Sequence, residues 1–371
     1  MSAAASSVSK HPVFQGEDVP VTPSRAPRRG LLLGSGMHVI PGQDVRRFHL
    51  CVIDLDAPHF PLTAIRMQFF GHGITPDPVH PQRLSVFEKR GKGACEVDLE
   101  KGTVTRTITP APNHEFYGHG AYSPDGRLLY ATETAMDENR TGAITIRNAE
   151  THEYIGKFPS YGVSPHDCHL IDEGNTMVIT NGGGPADGTP PSVAFVDINS
   201  ERLIEKLEFD TPTINAGHLD ITGSGMLVVV SAQRQGLPDT APGGITIRLA
   251  NGEFCTLKEP VDIISQLQGE TLSVCIHAAS GIVGTTTPAG NLLAFWDINS
   301  GRLLRHYRLE NPRGVELTLD GEYFVVSYGF GSPPEAVCLF SAATLERVAG
   351  YDMVSSLITG SHLFCYTFPA A

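Results

Sequence analysis

Phe195-Val196-Asp197-Ile198-Asn199-Ser200 and Phe295-Trp296-Asp297-Ile298-Asn299-Ser300 are two copies of one phrase, an apolar strand end that breaks into a polar turn. Cys51-Val-Ile-Asp-Leu-Asp, Cys95-Glu-Val-Asp-Leu-Glu, Ile144-Thr-Ile-Arg-Asn-Ala, Thr246-Ile-Arg-Leu-Ala-Asn and Cys338-Leu-Phe-Ser-Ala-Ala are five more. They return at intervals of roughly 44 to 52 residues, the length of one four-stranded propeller blade and too long for a leucine-rich turn. Seven copies predict an all-β chain folded as a seven-bladed β-propeller.

A second phrase opens the repeats: Gly71-His-Gly-Ile-Thr-Pro-Asp, Gly118-His-Gly-Ala-Tyr-Ser-Pro-Asp-Gly, Pro165-His-Asp-Cys-His-Leu-Ile-Asp-Glu-Gly, Gly217-His-Leu-Asp-Ile-Thr-Gly-Ser-Gly, Val274-Cys-Ile-His-Ala-Ala-Ser-Gly and Arg313-Gly-Val-Glu-Leu-Thr-Leu-Asp-Gly. The closing glycine follows a polar residue and precedes an alternating apolar run, the chemistry of a tight hairpin turn. Each phrase therefore reads as innermost strand A, turn, strand B. The first blade has strands near Leu31–Gly34, His49–Asp54 and Leu62–Phe69 but no innermost one, and the apolar segment Met353–Phe368 is left over. A ring with an open seam exposes unpaired strand edges, so this segment is predicted to join blade one and close the circle. Residues 28–371 then form one domain. Residues 1–27, rich in Ser, Ala and Pro without periodicity, read as a disordered or partner-binding arm.

The 371-residue chain carries 27 Lys and Arg against 40 Asp and Glu, a formal charge of −13, which sets it against nucleic acid and anionic lipid. No apolar run is long enough to span a membrane as a helix. Seven cysteines, an odd number with no CxxC pair, fall in strand-like segments and read as buried thiols of a reducing compartment. Arg28-Arg29 precedes only Leu31, Leu32 and Leu33, too few for a signal peptide, so a cytoplasmic location is expected. The long Gly- and Pro-rich loops Gly182–Pro191 and Gln233–Gly244 are candidates for binding.

His72, His119, His166 and His218 stand at the entrance to strand A in four successive blades, so residues almost 150 positions apart are expected to form an arc at one mouth of the channel. Imidazoles so placed suit copper, zinc, iron or nickel, with Asp167 or Asp220 as supporting acceptors. Arg313 takes the same rim position in blade seven, where a cation would favour an anionic ligand. Two other readings of the histidines stay open. They can be structural, as in tryptophan-aspartate repeat propellers, where such a histidine bonds a turn aspartate of its own blade, or they can line a polar ligand rim. His169 and His277 read as packing residues, and His362 shares no register. Glu133, Asp137, Glu138, Asp167, Asp220 and Glu316 are carboxylates that can face the channel. No Walker A loop, GxGxxG, GxSxG or HExxH is present.

Phe116-Tyr-Gly-His-Gly-Ala-Tyr-Ser-Pro-Asp-Gly-Arg-Leu-Leu-Tyr-Ala-Thr-Glu and Ile155-Gly-Lys-Phe-Pro-Ser-Tyr-Gly-Val-Ser-Pro-His-Asp resemble an uncharacterised bacterial family of propellers of unknown function, usually exported by the twin-arginine route. More remotely, the chain is similar to the seven-bladed superfamily of quinoprotein amine dehydrogenase and the nitrous oxide reductase head domain, where channel-mouth histidines hold a copper cluster. The resemblance implies the fold, gives weight to His72, His119 and His166, and makes a periplasmic location the alternative. Neighbourhood with iron-uptake and haem-peroxidase-like proteins implies metal handling. The expectation is a non-enzymatic module that binds a protein partner or small ligand, the N-terminal arm included. The alternative is a copper or iron metalloprotein, an oxidoreductase among the options, built on the histidines; hydrolysis by channel carboxylates and calcium is a third.

Overall fold

A computed structural model describes residues 28–39, 45–137, 140–249, 251–331 and 334–367. The predicted arm 1–27 and Glu138 lie outside the described residues. Seven four-stranded antiparallel sheets follow one another around a ring, and the only helical pieces among the described residues are the single turns Asp172–Gly174 and Val261–Ile264. No described helix is long and apolar enough to cross a membrane.

All seven copies of the decisive phrase fall on the third strand of a blade, from Arg46–Asp54 in blade one to Ala336–Ser341 in blade seven. There both faces are covered by neighbouring blades, so the strands read as apolar runs. The innermost strands are Gly71–Pro76, His114–Tyr122, Pro165–Ile171, Leu219–Ile221, Ser273–His277 and Val315–Leu317 in blades two to seven.

Blade one closes as expected, with one refinement. Leu363–Tyr366 pairs antiparallel with Leu31–Val39 and supplies its innermost strand, Gly34 facing Leu363. Met353–Val354, in the same leftover segment, instead forms the outermost strand of blade seven against Ala336–Ser341. The segment thus bridges the seam from rim to channel. Thr359 and Gly360 donate their amides to Ser35 O, and Thr359 Oγ1 accepts from Met37 N at 2.8 Å.

The core is divided into seven apolar clusters, each straddling two adjacent blades. Leu33 and Leu50 of blade one pack with Leu84 and Val86 of blade two, and Leu32 and Cys51 pack with Val325 and Leu339 of blade seven and with Leu363. Cohesion therefore runs around the ring rather than within one blade. Trp296 is buried and donates from Nε1 to Thr285 Oγ1 at 3.0 Å. The seven thiols are free, six of them buried.

Polar staples join neighbouring blades beside the channel. Thr75 Oγ1 donates to Gly120 O at 2.7 Å, and Thr180 Oγ1 to Gly217 O at 2.6 Å. Asp167 Oδ2 accepts from Leu219 N at 3.1 Å, and Asp220 Oδ2 from Ile276 N at 2.6 Å. These contacts fix where each strand A starts, and so fix the height of the side chains that enter the channel.

Candidate functional site

Regular pairing of strand A with strand B begins or resumes at Gly73, Gly120, Cys168, Leu219 and Leu363 in blades two, three, four, five and one. The residues just before these are His72, His119, Asp167, His218 and His362. Four histidines thus share one register, and His362, which the sequence reading left without a role, is one of them. His166 sits one position earlier, inside a bulge between Pro165 and Cys168 that turns its ring inward as a fifth member while Asp167 takes the ring position. Arg313 stands one residue before the ring position of blade seven, Gly314. Its electrostatic partner is Glu270, and it does not join the histidines.

The five rings pack across the channel axis, His362 edge to face against His72, His119 and His218, and His72, His166 and His218 tilted to one another by 42–43°. His218 and His362 stand with centroids 4.1 Å apart at 87°, His166 and His218 at 4.5 Å, His72 and His362 at 4.6 Å, and His119 and His362 at 4.7 Å. Ligand atoms of His72, His119, His218 and His362 all lie within 4.8 Å of one another. His166 Nε2 is 2.8 Å, and His72 Nε2 3.1 Å, from His218 Nε2. Glycine lets the rings come this close. Gly118, at φ +123°, has no room for a Cβ, which would sit 2.7 Å from His72 Cδ2.

The outer ring nitrogens assign the tautomers. His218 Nδ1 faces Leu272 O at 2.5 Å, His166 Nδ1 faces Tyr117 O at 3.2 Å, and His119 Nδ1 faces Asp167 Oδ1 at 3.1 Å. Each partner only accepts, so each Nδ1 carries the hydrogen and each Nε2 presents a bare lone pair. His72 Nδ1 lies 3.0 Å from Ser361 Oγ. None of these four imidazoles bonds a turn aspartate of its own blade, so the tryptophan-aspartate type of structural role does not describe them.

The result is an arrangement that neutral rings do not satisfy. His166 and His218 aim two lone pairs at each other across 2.8 Å, and the buried Nε2 atoms of His119 and His362 have no hydrogen-bond partner. A proton cannot readily fill the gap, because burial holds His72, His166, His218 and His362 well below the ordinary imidazole range, with the neighbouring rings and Lys89 adding to it. Burial lowers His119 as well, with Asp167 opposing. Burial alone would raise the Asp167 carboxyl, but His119 and His169 hold it far below the usual carboxylate range.

These shifts set an acid response. A histidine kept neutral in the folded chain contributes stability that is complete above the unfolded value of about 6.5 and declines as pH falls below it, by up to about 1.4 kcal/mol per pH unit for each such group. Metal-free protein is therefore expected to lose thermal stability steeply from pH 6.5 to 5. The fall should be shallower in a His72→Gln, His362→Gln variant, which differential scanning calorimetry across that range checks.

The histidines divide the channel. Below them lies a cavity of about 550 Å³ with His119, His218 and His362 at its floor and Asp167, His169, Asp220 and Glu316 in its wall. His169, expected to be a packing residue, is two positions beyond Asp167 and therefore on the same channel-facing side, its Nε2 3.6 Å from Asp167 Oδ1. Burial raises Glu316 to about 7, with Asp220 adding to it, and burial also raises Asp220. Above the histidines, Lys89 of blade two and Glu270 at the entrance to blade six form a 3.3 Å ion pair across the mouth.

One other expectation is revised. Glu133 is not in the channel but fully buried against Arg147, where it also accepts from Ala111 N at 2.9 Å. The Gly182–Pro191 loop is tied down by buried Arg234, which donates to the carbonyls of Gly184, Pro185, Gly188 and Thr189.

Comparison of folds finds hydrazine synthase from Kuenenia stuttgartiensis, 15% identical with a TM-score of 0.63 over 82% of this chain and 99% of that one. It also finds the β-propeller domain of Cps50 (Swd1) from Myceliophteria thermophila, 12% identical with a TM-score of 0.55 over 84% and 97%. At such identities the likeness is one of fold. No curated protein matches the sequence significantly. The family model that matches covers residues 65–363, which takes in all five channel histidines, and this chain belongs to that family, protein of unknown function DUF1513.

Proposed function

We propose that this propeller is a transition-metal protein whose ion sits in the central channel between His72, His119, His166, His218 and His362. The observation that carries the reading is the opposition of bare Nε2 lone pairs at 2.8 Å in a buried site. Two nitrogens bound to one metal at about 2.0–2.1 Å stand about 2.8–3.4 Å apart at ordinary coordination angles, so the cation that relieves the repulsion is the size of a metal ion. The outer-nitrogen contacts to Asp167, Leu272 O, Tyr117 O and Ser361 are of the kind that orient metal-bound imidazoles.

An all-imidazole donor set with no carboxylate among the converging atoms favours copper, which also stands highest in divalent affinity. Iron, the other metal considered, is better served by a mixed set with oxygen. A site with a cavity on one side leaves room for an exogenous ligand, which fits a reactive centre better than a closed structural one. Among the readings drawn from the sequence, the metalloprotein is thus preferred to the partner-binding module, and a redox role follows from the metal.

Asp167 provides a graded test. Asp167→Asn removes the charge that orients His119 while keeping an acceptor for Leu219 N. Competition titration is expected to show copper affinity reduced about 10- to 100-fold with the fold intact. Unchanged affinity would argue against His119 as a ligand.

A further inference from the structure

We infer that the cavity beneath the histidines is a binding site for a small organic ammonium ion, an amine head on an apolar body. The inference deepens the metal-centre reading by naming what approaches that centre, and its binding step stands without the metal.

The wall of the cavity holds three carboxylates and, among its lining residues, no lysine or arginine. Asp220 accepts from Ile276 N through Oδ2 at 2.6 Å and is also held by the Ile221 amide. Glu316 is engaged through Oε1 alone, by Leu317 N at 2.8 Å and Cys275 Sγ at 3.5 Å. The second oxygen of Glu316 has no hydrogen-bond partner among the described residues. Asp167 adds a third, buried carboxylate, and Nε2 of His119 at the inner end of the cavity has no hydrogen-bond partner. Every uncommitted polar atom named here accepts, so the complement is a group that only donates and carries positive charge.

The choice of an ammonium over a second metal follows from spacing. Among the described residues the histidines are the one group of three or more side chains placed to hold a metal ion, and the cavity carboxylates form no such group. An ammonium with three diverging N–H donors suits them better. Ile74, Pro76, Val274, Val315 and Phe364 supply apolar wall, and about 550 Å³ accommodates a ring or short alkyl chain. The opposite mouth holds a smaller cavity of about 300 Å³ whose lining includes the cations Lys89, Arg90 and Arg234, so the larger cavity is the one that suits an ammonium.

Benzylamine, benzyl alcohol and benzoate share one body with three heads. Calorimetric titration of metal-free protein is expected to rank benzylamine at least tenfold tighter than benzyl alcohol, with no binding of benzoate. Glu316→Gln is expected to weaken benzylamine at least tenfold while the thermal transition and copper stoichiometry stay as in the parent. Equal binding of benzoate, or undiminished benzylamine affinity in Glu316→Gln, would overturn the inference. If benzylamine binds as expected and copper does not, the metal reading fails and the cavity assignment stands; copper binding without amine preference gives the reverse.

Discussion

Protein purified without an affinity tag, stripped with chelator and reloaded is expected to hold copper at about one ion per chain, and His119→Ala combined with His218→Ala is expected to abolish that binding. His218 is the hub of the site, with its Nε2 within 3.1 Å of two other imidazoles, and His119 is the ring oriented by the ionised Asp167. Losing both removes two donors and the groups that position the others. Metal excess about a thousandfold over Kd stabilises the parent by about 4 kcal/mol, and the double variant should show none of that gain. The metal-free comparison separates this account from a structural one. Histidines that held turns in place would each cost about 1–3 kcal/mol on removal, through unsatisfied partners. Histidines that also repel one another until a cation arrives recover part of that cost when removed, so above pH 7 the metal-free variant should lose less stability than the sum of two such penalties.

Ending the chain after Asp352 is expected to prevent cooperative folding. The deletion removes Leu363–Tyr366, leaves the inner edge of Leu31–Val39 unpaired, and takes Met353–Val354 from blade seven. It also strips buried Ile358, Leu363 and Cys365 from the cluster that joins blades seven and one. Two large aliphatic side chains at about 1.5–3 kcal/mol each, with the lost ladder, amount to much of a typical total stability of 5–15 kcal/mol. The exposed edge then invites association between chains. Leu363→Ser is the milder form, expected to cost about 2–5 kcal/mol by urea titration while the ring still closes. A truncated chain with a parent-like cooperative transition would mean that the seam is not what holds the ring.

The blade period was legible because the third strands are covered on both faces and repeat one turn chemistry, and it carried the seven-fold architecture and the closing strand with it. The site was legible in part. His72, His119 and His218 follow simple Gly-His openings, and their shared height follows from the period. Asp167 and His166 exchanged roles because a bulge, invisible in the residue pattern, advances the register by one between Pro165 and Cys168. Counting from His166 also placed His169 on the wrong face, whereas counting from Asp167 places it in the cavity. Arg313 was misplaced by a similar one-residue step. His362 had a signal: Ser361-His362-Leu363 repeats Gly217-His218-Leu219, and the closing strand brings the two sides together once its register against Leu31–Val39 is known. The lone-pair opposition lay beyond any sequence pattern, because it depends on which carbonyl each Nδ1 faces.

X-ray absorption at the copper edge of loaded protein tests the central claim most directly. Four or five imidazole nitrogens at about 2.0 Å, with the outer-shell scattering of rigid rings and no sulfur, are expected from the channel site. A shell dominated by oxygen, or one containing a thiolate from any of the seven free cysteines, would place the ion elsewhere and contradict the account.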